Sequence, residues 1–285
     1  MKFLILTINQ TLESIVELTK KIEHYGATYQ VINPFNYDHD QILKESYDVI
    51  LNRISGISYD DSDLELLKRY KIKWPRTLIV NDPHITAILR DKALQAELFQ
   101  KIALESIPTL DLQVCSQMEI ETFTKSNRAL KYLLKPIRSN QAKGIIKTIT
   151  PLEDYQKLSS NKDTRYILQP LLLKRAEWRI LAINNVIIGV LKKTHNDPEE
   201  LLNCEKASLE HISDDKIPDR LSEFLNAKFW QSPCSILAFD ILEDIEGKYR
   251  LIEVNNVPGF KYFEKTTGIS PAEILVTCIF NHLRF

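Results

Sequence analysis

The sequence has little glycine and none of the glycine-rich motifs that commonly bind nucleotide phosphates. Only seven of the 285 residues are glycine. No G-x-G-x-x-G follows the first predicted strand, and the chain contains no G-x-x-x-x-G-K-[ST] loop. If this protein binds a nucleotide, it does so without either familiar phosphate-binding loop.

The chain also lacks a surplus of one charge and any long apolar run. It carries 37 basic and 38 acidic residues, a net charge of −1, which argues against nucleic acid as a partner. Apolar stretches such as Val186–Leu191 have the length of a strand, whereas a membrane span needs about 20 residues. We therefore expect no nucleic acid partner and no membrane association.

Cysteine is sparse as well, with four residues far apart and no C-x-x-C pair. This usage is typical of reduced thiols in a cytoplasmic protein. The apolar start of the chain ends at Thr7 without a cleavage site, so it predicts a buried strand and not a signal peptide. The G-x-S-x-G and H-E-x-x-H motifs of two hydrolase classes are absent too.

The order of predicted helices and strands indicates two regions of different fold class. Over the first ninety residues, strands such as Lys2–Ile8 and Asp48–Asn52 alternate with helices, which favours a parallel sheet. Later strands form hairpins, Glu177–Thr194 around Asn184-Asn185 and Ser235–Asn255 around Gly247. The pattern predicts an α/β N-terminal domain followed by an α+β region.

The second hairpin contains the strongest chemical signal. Asp240 interrupts an apolar strand, and a buried carboxylate is costly unless it is paired or binds a cation. A four-residue loop would place it opposite Glu253, and Asn255 lies on the same face of that partner strand. Three oxygen donors suit Mg²⁺, but pairing of either carboxylate with a nearby lysine or arginine explains the pattern equally well.

Four segments in order resemble the motifs of ATP-grasp ligases, most closely the RimK-like branch, which joins amino acids to peptide or protein carboxylates. "AFDIL" and "EVNNVPGF" are similar to the C-terminal signature, and "RDKALQAELF" to the Asp-Lys helix. "YLLKPIRSNQAKGI" resembles the phosphate-covering loop, and "RYILQPLLLKRAEWRILAINNVIIGVLKK" the hinge and following hairpin. The resemblance implies a pre-ATP-grasp-like domain at residues 1–84, a central lobe at 85–172 and a C-terminal lobe at 173–285, with ATP between the two lobes.

The resemblance also implies roles for individual residues. Asp240, Glu253 and Asn255 would hold Mg²⁺, expected as two ions and with Mn²⁺ as an alternative, against the ATP phosphates. Lys92 and Lys135 would contact phosphate oxygens.

Further positions match the family near the reacting groups and the nucleoside. Arg179 would lie near the transferred phosphoryl group, and Lys193 would line the phosphate and acceptor region. Glu177 stands where the family has an Asp near the ribose. Carbonyls around Gln169, Leu171 and Leu172 would bind adenine, and Asn203 keeps a family asparagine.

Several positions depart from the family pattern. Ser139 and Ala142 replace glycines of the phosphate-covering loop, which makes the loop less flexible. The hinge has Gln169-Pro170 in place of Gln-Glu, and proline donates no backbone hydrogen bond. "PEELLNCEKA" replaces an Arg and Gly-Gly segment that faces substrate or ATP in the family.

The resemblance implies a cytoplasmic, ATP- and Mg²⁺-dependent carboxylate–amine ligase that forms an amide through an acyl phosphate. Its substrate would be an amino acid or a peptide, and a whole protein is an alternative acceptor. The departures leave a second hypothesis open, in which a catalytically disabled relative acts as a nucleotide-binding or interaction protein. The retained oxygen triad favours the enzyme.

Overall fold

The computed structural model describes residues 1–58, 60–139, 142–158, 164–200 and 207–284. Within these ranges no helix has both the length and the apolar composition that crossing a bilayer requires. The helices are α1 (Glu13–His24), α2 (His39–Lys44), α3 (Ser62–Lys73), α4 (Pro83–Leu89), α5 (Lys92–Lys101), α6 (Gln117–Asn127), α7 (Pro151–Leu158), α8 (Asp219–Glu223), α9 (Lys261–Thr267) and α10 (Pro271–Arg284). The strands are β1 (Lys2–Leu6), β2 (Thr28–Ile32), β3 (Val49–Asn52), β4 (Leu78–Val80), β5 (Leu110–Asp111), β6 (Tyr132–Pro136), β7 (Ile146–Thr148), β8 (Tyr166–Pro170), β9 (Lys174–Ile183), β10 (Val186–Thr194), β11 (Ser208–Ile212), β12 (Ile236–Asp244) and β13 (Tyr249–Asn255).

The first four strands form a parallel sheet in the order β2-β1-β3-β4. Phe3 and Ile5 of β1 pack on one face against α1 and α10, whereas Leu4 and Leu6 pack on the other against α2 and α3. Helices on both faces are what a parallel sheet of apolar strands requires. The predicted α/β N-terminal region is confirmed, and its strand order reverses between β1 and β3.

A second sheet is antiparallel and has the order β5-β8-β6-β7. Its apolar face, which includes Tyr132 and Leu134 of β6, packs against α6 and α7. Because side chains alternate along a strand, Leu133 and Lys135 point to the opposite face. Gln169 of β8 pairs with Leu133 and shares that face.

The third sheet has the order β11-β10-β9-β12-β13 and is also antiparallel. One face, with Trp178 and Ile180 of β9, packs against α4 and α5. The other face carries Leu181 and Ile183, which join the core of the first sheet and α10. This core continues from the first strand to the last helix, and the polar end of the same face forms the site described below.

The predicted hairpin β9–β10 is confirmed with its tight turn. Asn184 and Asn185 both have positive φ, 51° and 62°, as the turn in such a hairpin requires. Gly189 lies at an irregularity in the β10 pairing. A Cβ at this position would come within 2.7 Å of the Phe263 ring, so the close packing of α9 requires glycine there.

Candidate functional site

Asp240 and Glu253 lie directly opposite each other on β12 and β13, as the sequence predicted. Residues 245–248 connect the two strands, which is the predicted four-residue loop. The register beside the loop differs from the expected one, since Glu243 pairs with Tyr249. A bulge at Ile252 restores the register, since without it Glu253 would point to the other face of the sheet.

The Asp240 carboxylate is buried among cations. Arg179 pairs with it across β9 and β12 and donates two hydrogen bonds, from Nε to Oδ1 at 2.8 Å and from Nη2 to Oδ2 at 2.6 Å. Lys193 Nζ lies 3.6 Å from Oδ1. Burial raises the pKa of Asp240, but Arg179 and Lys193 outweigh it and hold the pKa at about 2. The alternative of a pairing with basic side chains is therefore observed for Asp240.

Glu177 extends this charge cluster along β9. Its Oε1 accepts a 2.6 Å hydrogen bond from Lys174 Nζ, and Lys193 Nζ lies 3.4 Å from its Oε2. Lys193 therefore bridges the carboxylates of Glu177 and Asp240. Lys174 is only 8% exposed, and the sequence analysis did not single it out. The ribose contact expected of Glu177 stays a prediction.

Lys92 brings α5 to the same cluster. The helix begins where Asp91 caps it, as the sequence predicted, and Lys92 Nζ lies 3.6 Å from Glu253 Oε2. Gln95, one turn later, accepts a hydrogen bond from the Val254 amide at 2.8 Å and donates to the Leu89 carbonyl. This buried glutamine fixes α5 against β13 and so positions Lys92 beside Glu253.

Lys135 faces the cluster from β6 of the second sheet. Its side chain is 8% exposed and forms no hydrogen bond or ion pair with the residues that the structure describes. Burial lowers its pKa to about 8, although the charge of Glu253 acts in the opposite direction. A buried ammonium group without a bonded partner is one that an anionic ligand would stabilise.

The loop between β6 and β7 is anchored at its start. Lys92 Nζ donates to the Ser139 carbonyl at 2.8 Å. Arg138 binds the Asp61 carboxylate at the start of α3 through Nη1 at 3.0 Å and Nη2 at 2.6 Å. Asn140 and Gln141 lie outside the described residues. The described start of the loop is thus tied both to α5 and to α3, which packs on the first sheet.

Ala142 of this loop adopts a backbone conformation that favours glycine. Its φ is +58°, and Gly144 has a φ of +74°. The resemblance placed a family glycine at Ala142, and the backbone here keeps the left-handed conformation that such a glycine adopts without strain. The cost for alanine is about 1 kcal/mol.

Replacing Ala142 with glycine should leave the melting temperature nearly unchanged. Relief of about 1 kcal/mol of backbone strain offsets the greater entropy of the unfolded chain. Ala96→Gly, in the interior of α5, is the matched control and should cost about 1 kcal/mol. Thermal unfolding of both variants measures the difference, and an equal loss in the two would contradict the left-handed conformation at Ala142.

The predicted adenine-binding segment lies at the end of β8. Gln169 is 5% exposed; its Nε2 donates to Thr109 Oγ1, and its Oε1 has no partner among the described residues. A small pocket between α5, β8 and β13 is lined by Gln169, Lys92 and Leu251. The Leu171 amide donates a hydrogen bond to the Lys131 carbonyl, so this amide is already used. An adenine base would therefore bind through carbonyl groups of the hinge. Adenine binding here stays a prediction.

The oxygen donors proposed for Mg²⁺ meet only in part. In the part of the chain that the structure describes, no group of three His, Cys, Asp or Glu side chains is placed to hold a metal ion. Asn255 Oδ1 accepts a hydrogen bond from the Val257 amide at 2.9 Å. Mg²⁺ in nucleotide sites commonly uses one or two carboxylates together with phosphate oxygens, and Asp240 and Glu253 fit that donor set. Asn203 lies outside the described residues.

The cluster as a whole carries an excess of positive charge. Among the described residues, five cationic side chains surround three carboxylates, which leaves two positive charges at the junction of the second and third sheets. A mostly buried excess of this size suits a polyanion such as a triphosphate. The cations are Lys92, Lys135, Lys174, Arg179 and Lys193, and the carboxylates are Glu177, Asp240 and Glu253.

Known structures share this architecture over nearly the whole chain. The D-cycloserine synthetase DcsG matches with a TM-score of 0.72 and 13% identity, covering 99% of this chain and 100% of that one. The ATP-grasp ligase PsnB, solved with its minimal precursor, Mg and ADP, matches with a TM-score of 0.70 and 15% identity over 99% and 98%. A RimK domain ATP-grasp protein from Sphaerobacter thermophilus matches with a TM-score of 0.71 and 12% identity over 98% and 99%. No protein-family model and no curated protein sequence matches this chain.

Proposed function

Because this chain has the ATP-grasp fold that its sequence motifs predicted, we propose that it is an ATP- and Mg²⁺-dependent carboxylate–amine ligase. The division into residues 1–84, 85–172 and 173–285 is part of this proposal, as are the roles of the site residues. The substrate class is an amino acid or a peptide, in keeping with PsnB, which was solved with a precursor peptide.

One observation carries the proposal. The buried, net positive cluster combines Lys135 of the second sheet, which has no bonded partner among the described residues, with a bidentate Arg179–Asp240 pair from the third. Each sheet thus contributes charge to one junction, where a triphosphate would be held between them. A fold retained only as a scaffold has no need of these desolvated charges.

The chain's own groups supply positioning and charge neutralisation. Lys135 and Lys92 bind phosphate oxygens as point charges. Asp240 and Glu253, with Asn255 as a further donor, would hold Mg²⁺, which neutralises phosphate charge when bound. Each Asp240 oxygen accepts one hydrogen bond from Arg179 and has a further lone pair with which it would bind Mg²⁺.

The reaction that such a site serves has two displacements. A substrate carboxylate oxygen attacks the γ-phosphorus, the bond to the β,γ-bridging oxygen breaks, and ADP leaves. A neutral amine then attacks the acyl phosphate carbon, and phosphate departs as the amide forms. We assign to Arg179 the stabilisation of the charge that develops at the phosphoryl group, with Lys193 as a second cation of the phosphate and acceptor region.

The direct test is the release of phosphate and ADP by the protein with Mg²⁺-ATP and mixed pools of amino acids and peptides. Calorimetry of ATP binding with and without Mg²⁺ accompanies it. We expect turnover with at least one pool and tighter ATP binding with Mg²⁺. ATP binding without turnover in any pool would favour the disabled, nucleotide-binding alternative, and equal affinity without Mg²⁺ would remove the metal assignment.

Lys135 makes ATP binding dependent on pH. Its pKa of about 8 lies below that of the unfolded chain, so the buried ammonium destabilises the fold below pH 8 and this cost disappears as the pH rises. Because only the charged form binds phosphate well, the affinity for Mg²⁺-ATP should fall by up to about tenfold per pH unit above 8. Calorimetry across this range measures the slope.

Lys135→Arg provides the contrast, since arginine stays charged throughout this range and the slope should disappear. Lys147→Arg, at an exposed position on the neighbouring strand β7, is the matched control and should keep the wild-type slope. A slope that persists in Lys135→Arg would show that another group titrates.

A further inference from the structure

Arg53 is a buried arginine whose charge is not neutralised by a carboxylate among the described residues. It directly follows β3 and is 6% exposed. Its Nη2 donates to the Pro258 carbonyl at 2.6 Å, and the guanidinium lies 4.8 Å from the centre of the Phe260 ring. Its Nε and Nη1 are both buried, and neither has an acceptor within the ranges that the structure describes.

Arg90 shows what a structural buried arginine looks like in the same protein. Its Nη1 donates to Asp61 and Asp63, and its Nη2 donates to Asp63 and to the Ile54 carbonyl. Arg53 has a single carbonyl in place of two carboxylates, and burial lowers its pKa to about 10. Desolvating a guanidinium without a counter-charge is unfavourable, so a bound anion that pairs with Arg53 would stabilise it.

The position of Arg53 in the fold is one where ligands bind. The order of the first sheet reverses between β1 and β3, and in open α/β sheets the crevice at the carboxyl ends of such strands is the usual binding site. Arg53 lies at the carboxyl end of β3, and its amide bonds to the Leu6 carbonyl at the same end of β1. It therefore stands at this crevice.

The crevice is next to the proposed active site. Pro258 follows Asn255 by three residues, a span of at most about 11 Å. The same segment is held to the first sheet by Asn81, whose Nδ2 donates to the Asn256 carbonyl at 2.5 Å and to the Ile236 carbonyl at 2.9 Å. Arg53 thus contacts the segment that directly follows the oxygen donors of β13.

We propose that Arg53 binds a carboxylate of the acceptor substrate other than the one that is phosphorylated. The inference rests on the proposed ligase function, because that function is what makes the bound acid a substrate. It narrows the substrate class to acids with a second carboxylate, such as an acidic amino acid or a peptide with a free carboxyl terminus. The planar guanidinium pairs with a carboxylate through directed hydrogen bonds, which gives selectivity for that end of the molecule.

The test measures binding without ATP, so it does not depend on turnover. The melting temperature of the full chain is recorded with glutarate, L-glutamate, the uncharged diamide glutaramide and inorganic phosphate at equal ionic strength. At about ten times the dissociation constant, an acid should raise the melting temperature by roughly 3 °C, and glutaramide should have no effect. No shift with either acid would overturn the proposal.

Variants test whether the rise in melting temperature depends on Arg53. Arg53→Gln should abolish the shift, and Arg53→Lys should weaken it, because lysine keeps the charge but loses the planar donor set. Arg69→Gln removes a surface arginine of the same region and should keep the full shift. A shift that survives in Arg53→Gln, or one given by phosphate but by neither acid, would overturn the assignment.

The stability of the variants separates binding from a structural role. Removal of an uncompensated buried charge should leave the melting temperature of Arg53→Gln within about 2 °C of the wild type or above it. Arg53 would be identified as a structural group if the melting temperature of Arg53→Gln fell by much more than this and the acids did not raise the melting temperature of the wild type. If the acids raise the melting temperature only when Arg53 is present, but the protein shows no turnover, the carboxylate site at Arg53 is supported and the ligase function is rejected.

An active protein provides one more measurement. Arg53→Gln should raise KM for the acid substrate about 10- to 100-fold and leave KM for ATP unchanged, as expected for a charged hydrogen bond made to substrate alone. An equal change in both constants would contradict a contact confined to the acid.

Discussion

Replacing Asp240 with asparagine is expected to lower turnover by about 100- to 1000-fold and to destabilise the fold. The carboxylate orients Arg179 and is a proposed Mg²⁺ ligand, so its loss affects both charge neutralisation and phosphate positioning. It also removes the buried carboxylate that pairs with Arg179 and Lys193, at a cost of about 3 kcal/mol or a fall of roughly 6–12 °C. Phosphate release and thermal unfolding measure the two effects.

The stability effect should depend on pH. The pKa of Asp240 is about 2 in the folded protein, below the ordinary value of about 4, so its ionisation stabilises the fold above pH 4. That contribution is lost as the pH falls from about 4 through about 2. The melting temperatures of wild type and Asp240→Asn should converge in this acidic range.

Asp40→Asn is the matched control for this variant, since Asp40 also pairs with an arginine, Arg69, but at the surface. Exposed pairs contribute little, so its melting temperature should change by no more than about 2 °C. Full turnover in Asp240→Asn would remove this residue from the site. A melting temperature equal to that of the wild type at neutral pH would contradict the buried pair.

Arg179→Ala should mainly lower kcat, by about 100- to 1000-fold, with a much smaller change in KM for ATP. The guanidinium is held by Asp240 in the structure, and its charge is needed most as the acyl phosphate forms. Arg179→Lys should recover only part of the activity, because lysine lacks the planar pair of donors. Steady-state kinetics with varied ATP separate the two constants.

Arg175→Ala tests whether any arginine of β9 has this effect. Arg175 lies on the same strand, but its side chain is exposed and Nη2 donates to the Ile245 carbonyl. Its removal should leave kcat within about twofold of the wild type. A change confined to KM for ATP in Arg179→Ala would mean that this residue binds the ground state and has no special role in phosphoryl transfer.

Local sequence patterns were sufficient to predict the elements that carry the cluster. Asp240 stood out because it interrupts an apolar strand, and its partner followed from the turn near Gly247. The structure brings Lys92, Lys135, Arg179 and the remaining charged candidates to one junction. Their roles stay predictions, because proximity shows which groups can act together and not what they bind.

Long-range contacts decide the features that the sequence did not indicate. The bulge at Ile252 lets the Val254 amide meet Gln95 in α5, and the Leu251 amide bonds to the Glu105 carbonyl. Gln95 has no motif that marks it, and its burial depends on how α5 packs against an edge strand. Arg53 was missed for the same reason, since only the assembled fold shows that no carboxylate of the described residues pairs with it.

The core shared by the first sheet and α10 affects how the chain folds. Phe3 of β1 lies 6.0 Å from Phe280 of α10 between ring centroids, and Ile236 joins the same core. During synthesis α1 therefore covers only part of this apolar face of β1 until β12 and α10 have been made, and the part left exposed is a site for chaperone binding or misassembly. A cut after residue 84 would expose that face, so the N-terminal α/β region and the C-terminal helix should unfold in one cooperative transition, although they lie at opposite ends of the sequence.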